Sequence, residues 1–261
     1  MKRLEGNAAF AGDGDAHDWC PPLDRRAAVR LLGLGAVGVL AACGEDATSP
    51  TTPTLSSSCG TTLEGEEGPF FVNDSGSGYE RTNVVANLGG SNVQPGVALA
   101  LSITVLDTKN SCRPIQGVQV DIWSCNALGV YSGESSQETT NESWLRGYQL
   151  TDNSGKVLFN TIIPGWYAGR TTHIHLRLRS IYDGASSGST NTTQLFFDQT
   201  VINNIHASVP PYAGRGINPT TNASDRVFAQ QEKGTNVLTL GGSAGTGFSA
   251  AISLYVPIAS S

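Results

Sequence analysis

Two of the chain's four histidines stand one residue apart. They lie in Pro164-Gly165-Trp166-Tyr167-Ala168-Gly169-Arg170-Thr171-Thr172-His173-Ile174-His175-Leu176. On a β-strand successive side chains point to opposite faces, so His173 and His175 project together from one face. Arg177 and Arg179 continue that face, while Ile174, Leu176 and Leu178 form the other. The strand thus offers an apolar side to a core and a polar side bearing adjacent imidazoles. Neutral imidazoles bind several metals, and most sites need three or four ligands. The chemistry indicated is a metal site.

The neighbours narrow the metal. No Asp or Glu flanks the histidines, and no cysteine pair has ligand spacing. The nearest ligand-capable residue is Tyr167, in a Pro-Gly turn ahead of the strand, and Tyr131 follows another strand through Trp123-Ser124-Cys125-Asn126-Ala127-Leu128-Gly129-Val130. A free phenol has a pKa of about 10 and is a poor ligand for a weak Lewis acid. A hard trivalent ion such as Fe³⁺ stabilises the phenolate directly. Two tyrosinates and a hydroxide would neutralise its charge, which lowers the cost of holding it in a partly dry pocket. Two tyrosines, two histidines and a solvent ligand make a coherent ferric site.

These residues need a scaffold of strands. Leu99 to Leu106 alternates apolar and polar, as does Gly117 to Trp123 with Val118, Val120 and Ile122 on one face. Asp152-Asn153-Ser154-Gly155 is a turn before Val157-Leu158-Phe159. Further strands are expected at His173–Ser180, Thr192–Asp198, Val237–Leu240 and Phe248–Val256. No long stretch after the first sixty residues carries helical periodicity. The fold class is therefore all-β, a two-sheet β-sandwich. Such a fold buries one face of each sheet, so the metal-centred site must lie on an outer face or edge, roofed by long loops. Gly184 to Asn191 and Val201 to Asp225 are long enough.

The N-terminal part reads as an address. Arg25-Arg26 precede the apolar run Leu31 to Leu40, which ends in Leu40-Ala41-Ala42-Cys43. Residues 1–42 form an export signal, and the paired arginines suggest the twin-arginine route. Leu-Ala-Ala-Cys resembles a bacterial lipobox, which makes Cys43 a lipidation site and anchors an exported protein at the bacterial cell envelope. A plain uncleaved anchor, or a buried helix with a chance cysteine, is the competing interpretation. Residues 43–60 are a Ser/Thr/Pro-rich tether that cannot bury enough apolar surface to order itself. Residues 61–261 are a usual size for one domain. Removing residues 1–42 takes away five basic residues (Lys2, Arg3, Arg25, Arg26, Arg30) and five acidic ones (Glu5, Asp13, Asp15, Asp18, Asp24), so the net charge stays at −6. Without a basic stripe, nucleic acid is not an expected partner. Of the five cysteines, Cys20 leaves with the signal and Cys43 carries lipid. Cys112 at a turn and Cys125 at the end of the next strand are the favoured disulfide pair, leaving Cys59 free, although spacing alone does not settle the connectivity.

Taken in order, four segments resemble the intradiol ring-cleavage dioxygenases, the family of catechol and protocatechuate dioxygenases. They are Glu67-Gly68-Pro69-Phe70-Phe71; Val120-Asp121-Ile122-Trp123 with Gly129-Val130-Tyr131; Pro164 to His175; and Thr192-Thr193-Gln194-Leu195-Phe196-Phe197. The resemblance implies Fe³⁺ held by Tyr131, Tyr167, His173 and His175. It also implies Arg170 and Gln194 as catalytic residues close to the substrate, with Gly68, Pro69 and Phe70 bordering the pocket. The implied substrates are a small aromatic diol and O₂. The ring opens between the hydroxyls, the diol displaces Tyr167, and both oxygen atoms enter a muconate-type diacid. Only two residues separate Tyr167 from Arg170, where better-known members carry a longer loop, and Thr171-Thr172 also departs from the family pattern; a more open pocket follows. The helical dimerisation region of catechol dioxygenases has no counterpart, so a homo-oligomer is allowed for and not required.

Each of these residues also has a plainer interpretation. The histidines could be surface residues, the tyrosines loop or core residues, and Arg170, Arg177 and Arg179 solvent-exposed or paired with acidic loops. Asp121 and Trp123 are expected to support the sandwich, His206 to sit in a loop, and Asp198 and Asp225 to cap loops. The competing function is a non-catalytic, lipid-tethered β-sandwich binding module. The full set of two tyrosines and two histidines favours the enzyme.

Overall fold

Alternation of apolar residues along short segments builds two mixed sheets in the computed structural model, which describes residues 59–73, 78–180, 190–231 and 235–257. The export signal over 1–42, Cys43 and nearly all of the tether over 43–60 lie outside the described residues. The strands are β1 (Ala98–Asp107), β2 (Arg113–Pro114), β3 (Val118–Trp123), β4 (Arg146–Leu150), β5 (Lys156–Ile162), β6 (His173–Ser180), β7 (Thr190–Phe197), β8 (Val237–Leu238), β9 (Gly241–Ser243) and β10 (Gly247–Val256). One sheet has the order β2-β1-β10-β9, with β5 also paired to β1, and the other has the order β4-β3-β6-β7-β8. Pairing is parallel between β1 and β10 and between β7 and β8, and antiparallel elsewhere.

The core lies between the sheets. Leu99, Leu101, Ile103 and Val105 of β1 face Val118, Val120 and Ile122 of β3 and Ile174, Leu176 and Leu178 of β6, all buried, with Phe159 of β5 among them. Each such side chain contributes about 1.5–3 kcal/mol on burial. This packing fixes which face of β6 looks outward, and therefore where both histidines point. β3 departs from a one-sided strand, since all six of its residues are buried. Its second face, Gln119, Asp121 and Trp123, is covered by the segment around Phe71.

One helix runs into the stretch Val201 to Asp225 expected to be loop, and a second follows directly after it. α1 (Gln199–Ser208) is capped by Asp198, whose carboxylate accepts from the Val201 N–H at 2.9 Å, and it buries Ile202, Ile205 and His206. Ten residues give this pattern barely two repeats, too few to stand out from a loop. The five-residue α2 (Arg226–Gln230) is capped by Asp225. The other expected roof, Gly184 to Asn191, falls almost wholly outside the described residues.

The disulfide corrects the expected pairing. Cys112 bonds to Cys59, with Cα atoms 5.6 Å apart, and among the described residues Cys125 is the free, buried cysteine. Cys112 sits in the turn before β2, whereas β3 carries Cys125 to the opposite end of its sheet. Six strand residues put roughly 20 Å between those ends, beyond the roughly 4.4–6.8 Å a disulfide spans.

Candidate metal centre

Strand register assembles the site. Across the outer face of the second sheet, Arg146 of β4 pairs with Trp123 of β3, Trp123 with His175 of β6, and His175 with Gln194 of β7. His173 lies two residues back on β6, opposite Phe196. The Trp123 ring stacks on the His175 imidazole at 4.8 Å and 5°.

Both imidazoles are buried and neutral. Burial, helped by the charge of Arg170, lowers the His173 pKa to about 3. Burial and then the neighbouring His173 put His175 well below its ordinary value. His173 Nδ1 lies 2.6 Å from the Thr171 carbonyl, so its proton belongs there and the Nε2 lone pair faces the site. That Nε2 stands 3.0 Å from His175 Nε2 and 3.2 Å from the Tyr167 hydroxyl. Among the described residues the buried Tyr131 hydroxyl has no hydrogen-bond partner, although Tyr167 is near enough to affect its ionisation. Burial chiefly, with Cys125 and Tyr167, holds the Tyr131 phenol well above its ordinary pKa, and burial also raises Tyr167.

Three donors within 3.0–3.2 Å of a neighbour, with the buried Tyr131 hydroxyl beside Tyr167, fit a metal ion. The two Nε2 atoms, 3.0 Å apart, are close enough to share one ion. Among the described residues there is no group of three or more His, Cys, Asp and Glu side chains able to hold a metal. Burial disfavours ionisation of both phenols, so a metal held here would have to stabilise their phenolates directly.

Around the donors, a short turn carries Arg170. Its Nε donates to Asp225 Oδ2 at 2.9 Å and its Nη2 to Gln194 Oε1 at 2.5 Å. Its charge also offsets part of what burial does to Tyr167. Asp225 additionally accepts from the Thr171 N–H at 2.7 Å, so one carboxylate fixes both the arginine and the chain leading into β6. Above the sheet a strap runs from Glu66 to Phe70. Gln194 Nε2 donates to the Glu66 carbonyl at 2.8 Å, and Phe70 stacks on Tyr131 at 4.3 Å. Gly68 passes over His175 with φ +74°, and a Cβ there would lie 3.0 Å from His175 Cε1. Pro69 is exposed beside it.

The structure thus gathers Tyr131, Tyr167, His173, His175, Arg170, Gln194, Gly68 and Phe70 at one place. Cys125 lies beside Tyr131 as an apolar neighbour, its thiol pushed up to about 12 by burial. His206 stays outside the site. It is buried on α1, stacked on Tyr212, with Nε2 3.3 Å from the Pro164 carbonyl behind the Tyr167 turn. Arg177 pairs with Glu67 and Arg179 with Asp121. Asp225 and the buried Arg146 are the neighbours that sequence reasoning missed. The one available signal for Asp225 was an Asp heading a short helix.

A family model described as dioxygenase matches residues 66–211, which hold every one of these gathered residues. The chain belongs to the intradiol ring-cleavage dioxygenase family. It is 26% identical, at a TM-score of 0.64, to an intradiol ring-cleavage dioxygenase from Tetranychus urticae, covering 76% of this chain and 95% of that one. It is also similar to the dioxygenase domain of a dioxygenase carbohydrate-binding protein fusion from Streptomyces sp. SirexAA-E, at 28% identity and a TM-score of 0.54, covering 77% of this chain and all (100%) of that one. A catechol 1,2-dioxygenase of Candida albicans is 32% identical over 102 residues, 38% of this chain and 31% of that enzyme, so the match spans about a third of the relative's length. The intradiol dioxygenases are a family of oxidoreductases that use non-haem iron.

Proposed function

We propose that this intradiol dioxygenase holds Fe³⁺ through Tyr131, Tyr167, His173 and His175 and opens catechol rings between the hydroxyls. The observation that carries this is the convergence of two neutral imidazole nitrogens at 3.0 Å with a phenol at 3.2 Å. When bound, a ferric ion supplies Lewis acidity toward the phenolates and toward an aromatic diol. Both atoms of O₂ enter the diacid product, so the reaction needs no other oxidant or reductant.

The two tyrosines differ in how they are held. Tyr131 is fully buried, with its N–H donated to Gln137 Oε1 and its carbonyl accepting from Thr139 Oγ1, each at 2.6 Å. Tyr167 is half-buried on a turn between Gly165 and Gly169. Tyr131 is therefore the fixed side chain and Tyr167 the one free to move, and with a ferric ion bound Tyr167 would be the ligand able to give way to a diol and take up its proton. Arg170, fixed by Asp225 and Gln194, faces the negative charge that builds on the substrate oxygens, as a preorganised cation in a sheltered site can. The strap with Gly68, Pro69 and Phe70 keeps water from the His175 side. Ala168 and Gly169 are exposed and leave the opposite side open, which supports catechols bearing substituents.

Ferric loading of the purified protein is expected to give a burgundy colour from tyrosinate-to-iron charge transfer. Oxygen uptake across catechol, protocatechuate, hydroxyquinol and substituted catechols then ranks the substrates. A protein that stays colourless after ferric loading would refute the ferric assignment. Export and lipidation of Cys43 are part of the same proposal, and a Cys59–Cys112 disulfide supports an oxidising compartment. Labelling with a radioactive fatty acid tests it, and an unlabelled mature protein rules the lipid out.

A further inference from the structure

We propose that Arg146 is a positioning residue for this centre, a buried clamp that holds the Phe70 strap against Tyr131. The inference rests on the ferric assignment above only for its iron readout.

The side chain of Arg146 is 1% exposed. Its Nη1 donates to the Phe70 carbonyl at 2.7 Å, its Nη2 to the Ser132 carbonyl at 2.6 Å, and its Nε to the Ser132 carbonyl and hydroxyl at 3.0 Å each. Glu134 forms an ion pair with it at 3.8 Å. The rigid fork of an arginine thereby joins the strap and the loop carrying Tyr131, which its hydrogen bonds to Phe70 and Ser132 bridge.

That connection decides where the phenol ring lies. Gln137 and Thr139 hold the Tyr131 backbone and leave its ring to be placed by packing. The Phe70 ring supplies part of that packing, 4.3 Å away and inclined by 22°, with Tyr167 at 5.7 Å and the Arg146 guanidinium itself 5.9 Å from the ring centre. Arg146 and Gln194 end the same row across the sheet, and each grips one end of the strap, at Phe70 and at Glu66. Gly68, midway, is thereby set over His175. Releasing the Arg146 end frees the ring that confines Tyr131 and leaves the Gln194 end intact.

The test compares wild type, Arg146→Lys, Phe70→Leu and the double variant in the full chain. A lysine keeps the charge but reaches one carbonyl instead of two. Iron release from the ferric protein to a chelator is expected to quicken by about tenfold in Arg146→Lys, within the roughly 10- to 100-fold range of residues that orient ligands from behind. Its charge-transfer band should shift. Hydrogen exchange of the metal-free protein should rise in 64–73 and remain unchanged in 98–107. Phe70→Leu should match the iron release without the raised exchange, because its carbonyl remains held. The double variant should release iron no faster than the faster single one. Wild-type release and exchange in Arg146→Lys would overturn the proposal, as would exchange raised evenly over the whole chain. Should Arg146→Lys fail to fold, wild-type iron release in Phe70→Leu overturns it, and faster release there supports it. If the wild type takes up no iron, the ferric assignment fails and the exchange comparison still decides the clamp.

Discussion

Replacing Asp225 with Asn tests whether Arg170 acts from a fixed position. The Asp225 side chain is fully buried, and its Oδ2 accepts from both Arg170 Nε and the Thr171 N–H, while Oδ1 accepts from the Phe228 N–H at 2.9 Å. Asn caps a helix about as well as Asp, so its oxygen can keep the Phe228 bond. Its NH₂ group then faces two donors. Breaking a buried pair costs about 3–5 kcal/mol, and the 18% exposure of the Arg170 side chain lets water recover part of this. A loss of about 2–3 kcal/mol in urea unfolding is expected. With Arg170 present but no longer aimed, kcat/KM should fall by roughly 10- to 100-fold, less than for deleting a stabilising donor outright. The acid limb provides a second readout. Burial alone would raise the Asp225 pKa, but the N–H groups of Phe228 and Thr171 and the charge of Arg170 outweigh it and hold the carboxyl below its ordinary value. Its stabilisation is therefore complete above the unfolded pKa of about 3.9 and is lost as pH falls through the lower folded value. Asp225→Asn should lack that part of the pH dependence. Oxygen uptake at wild-type kcat/KM in a variant that has lost stability would show that Arg170 needs no anchor.

Tyr131→Phe should abolish ferric colour and iron retention by metal analysis, because it removes the better-held of the two phenols; retained iron with an unchanged spectrum would exclude Tyr131 as a ligand. Tyr167→Phe should bind iron more weakly yet keep a single-tyrosinate band. Gly68→Ala places a Cβ 3.0 Å from His175 Cε1 at φ +74°, so about 1 kcal/mol of backbone strain should accompany reduced iron content at an otherwise normal circular dichroism spectrum. Cys59→Ser opens a link between residues 53 positions apart and should cost about 2–4 kcal/mol in denaturant unfolding, whereas Cys125→Ser should leave the response to reducing agent unchanged.

What could be read from the sequence was what depends on local periodicity. The limits of β6, His173–Ser180, follow from its alternation, and β1, β3, β5 and β10 lie where their apolar residues recur at every second position. α1 did not emerge because its buried stripe is three residues, Ile202, Ile205 and His206, within a polar sequence. The disulfide did not emerge because its partner was chosen by closeness in sequence, whereas Cys59 reaches Cys112 only once the N-terminal segment lies along β10, where the Thr62 N–H bonds the Tyr255 carbonyl at 2.9 Å.

The same division runs through the site. Paired imidazoles on one strand face carry their own signal, and the two tyrosines gain theirs from their order relative to those histidines. Residues that aim them do not, because an Asp heading a five-residue helix and an Arg in Trp144-Leu145-Arg146-Gly147 look like a cap and a surface cation until the sheets assemble. Arg146 becomes significant only through its register opposite Trp123, and Asp225 only through a contact 55 positions away with Arg170. The identity of the proposed ligands is thus encoded by residue type and short spacing, while their orientation is encoded by long-range contacts. Substitutions at Asp225 and Arg146 therefore test the tertiary half of the site without altering a single donor atom.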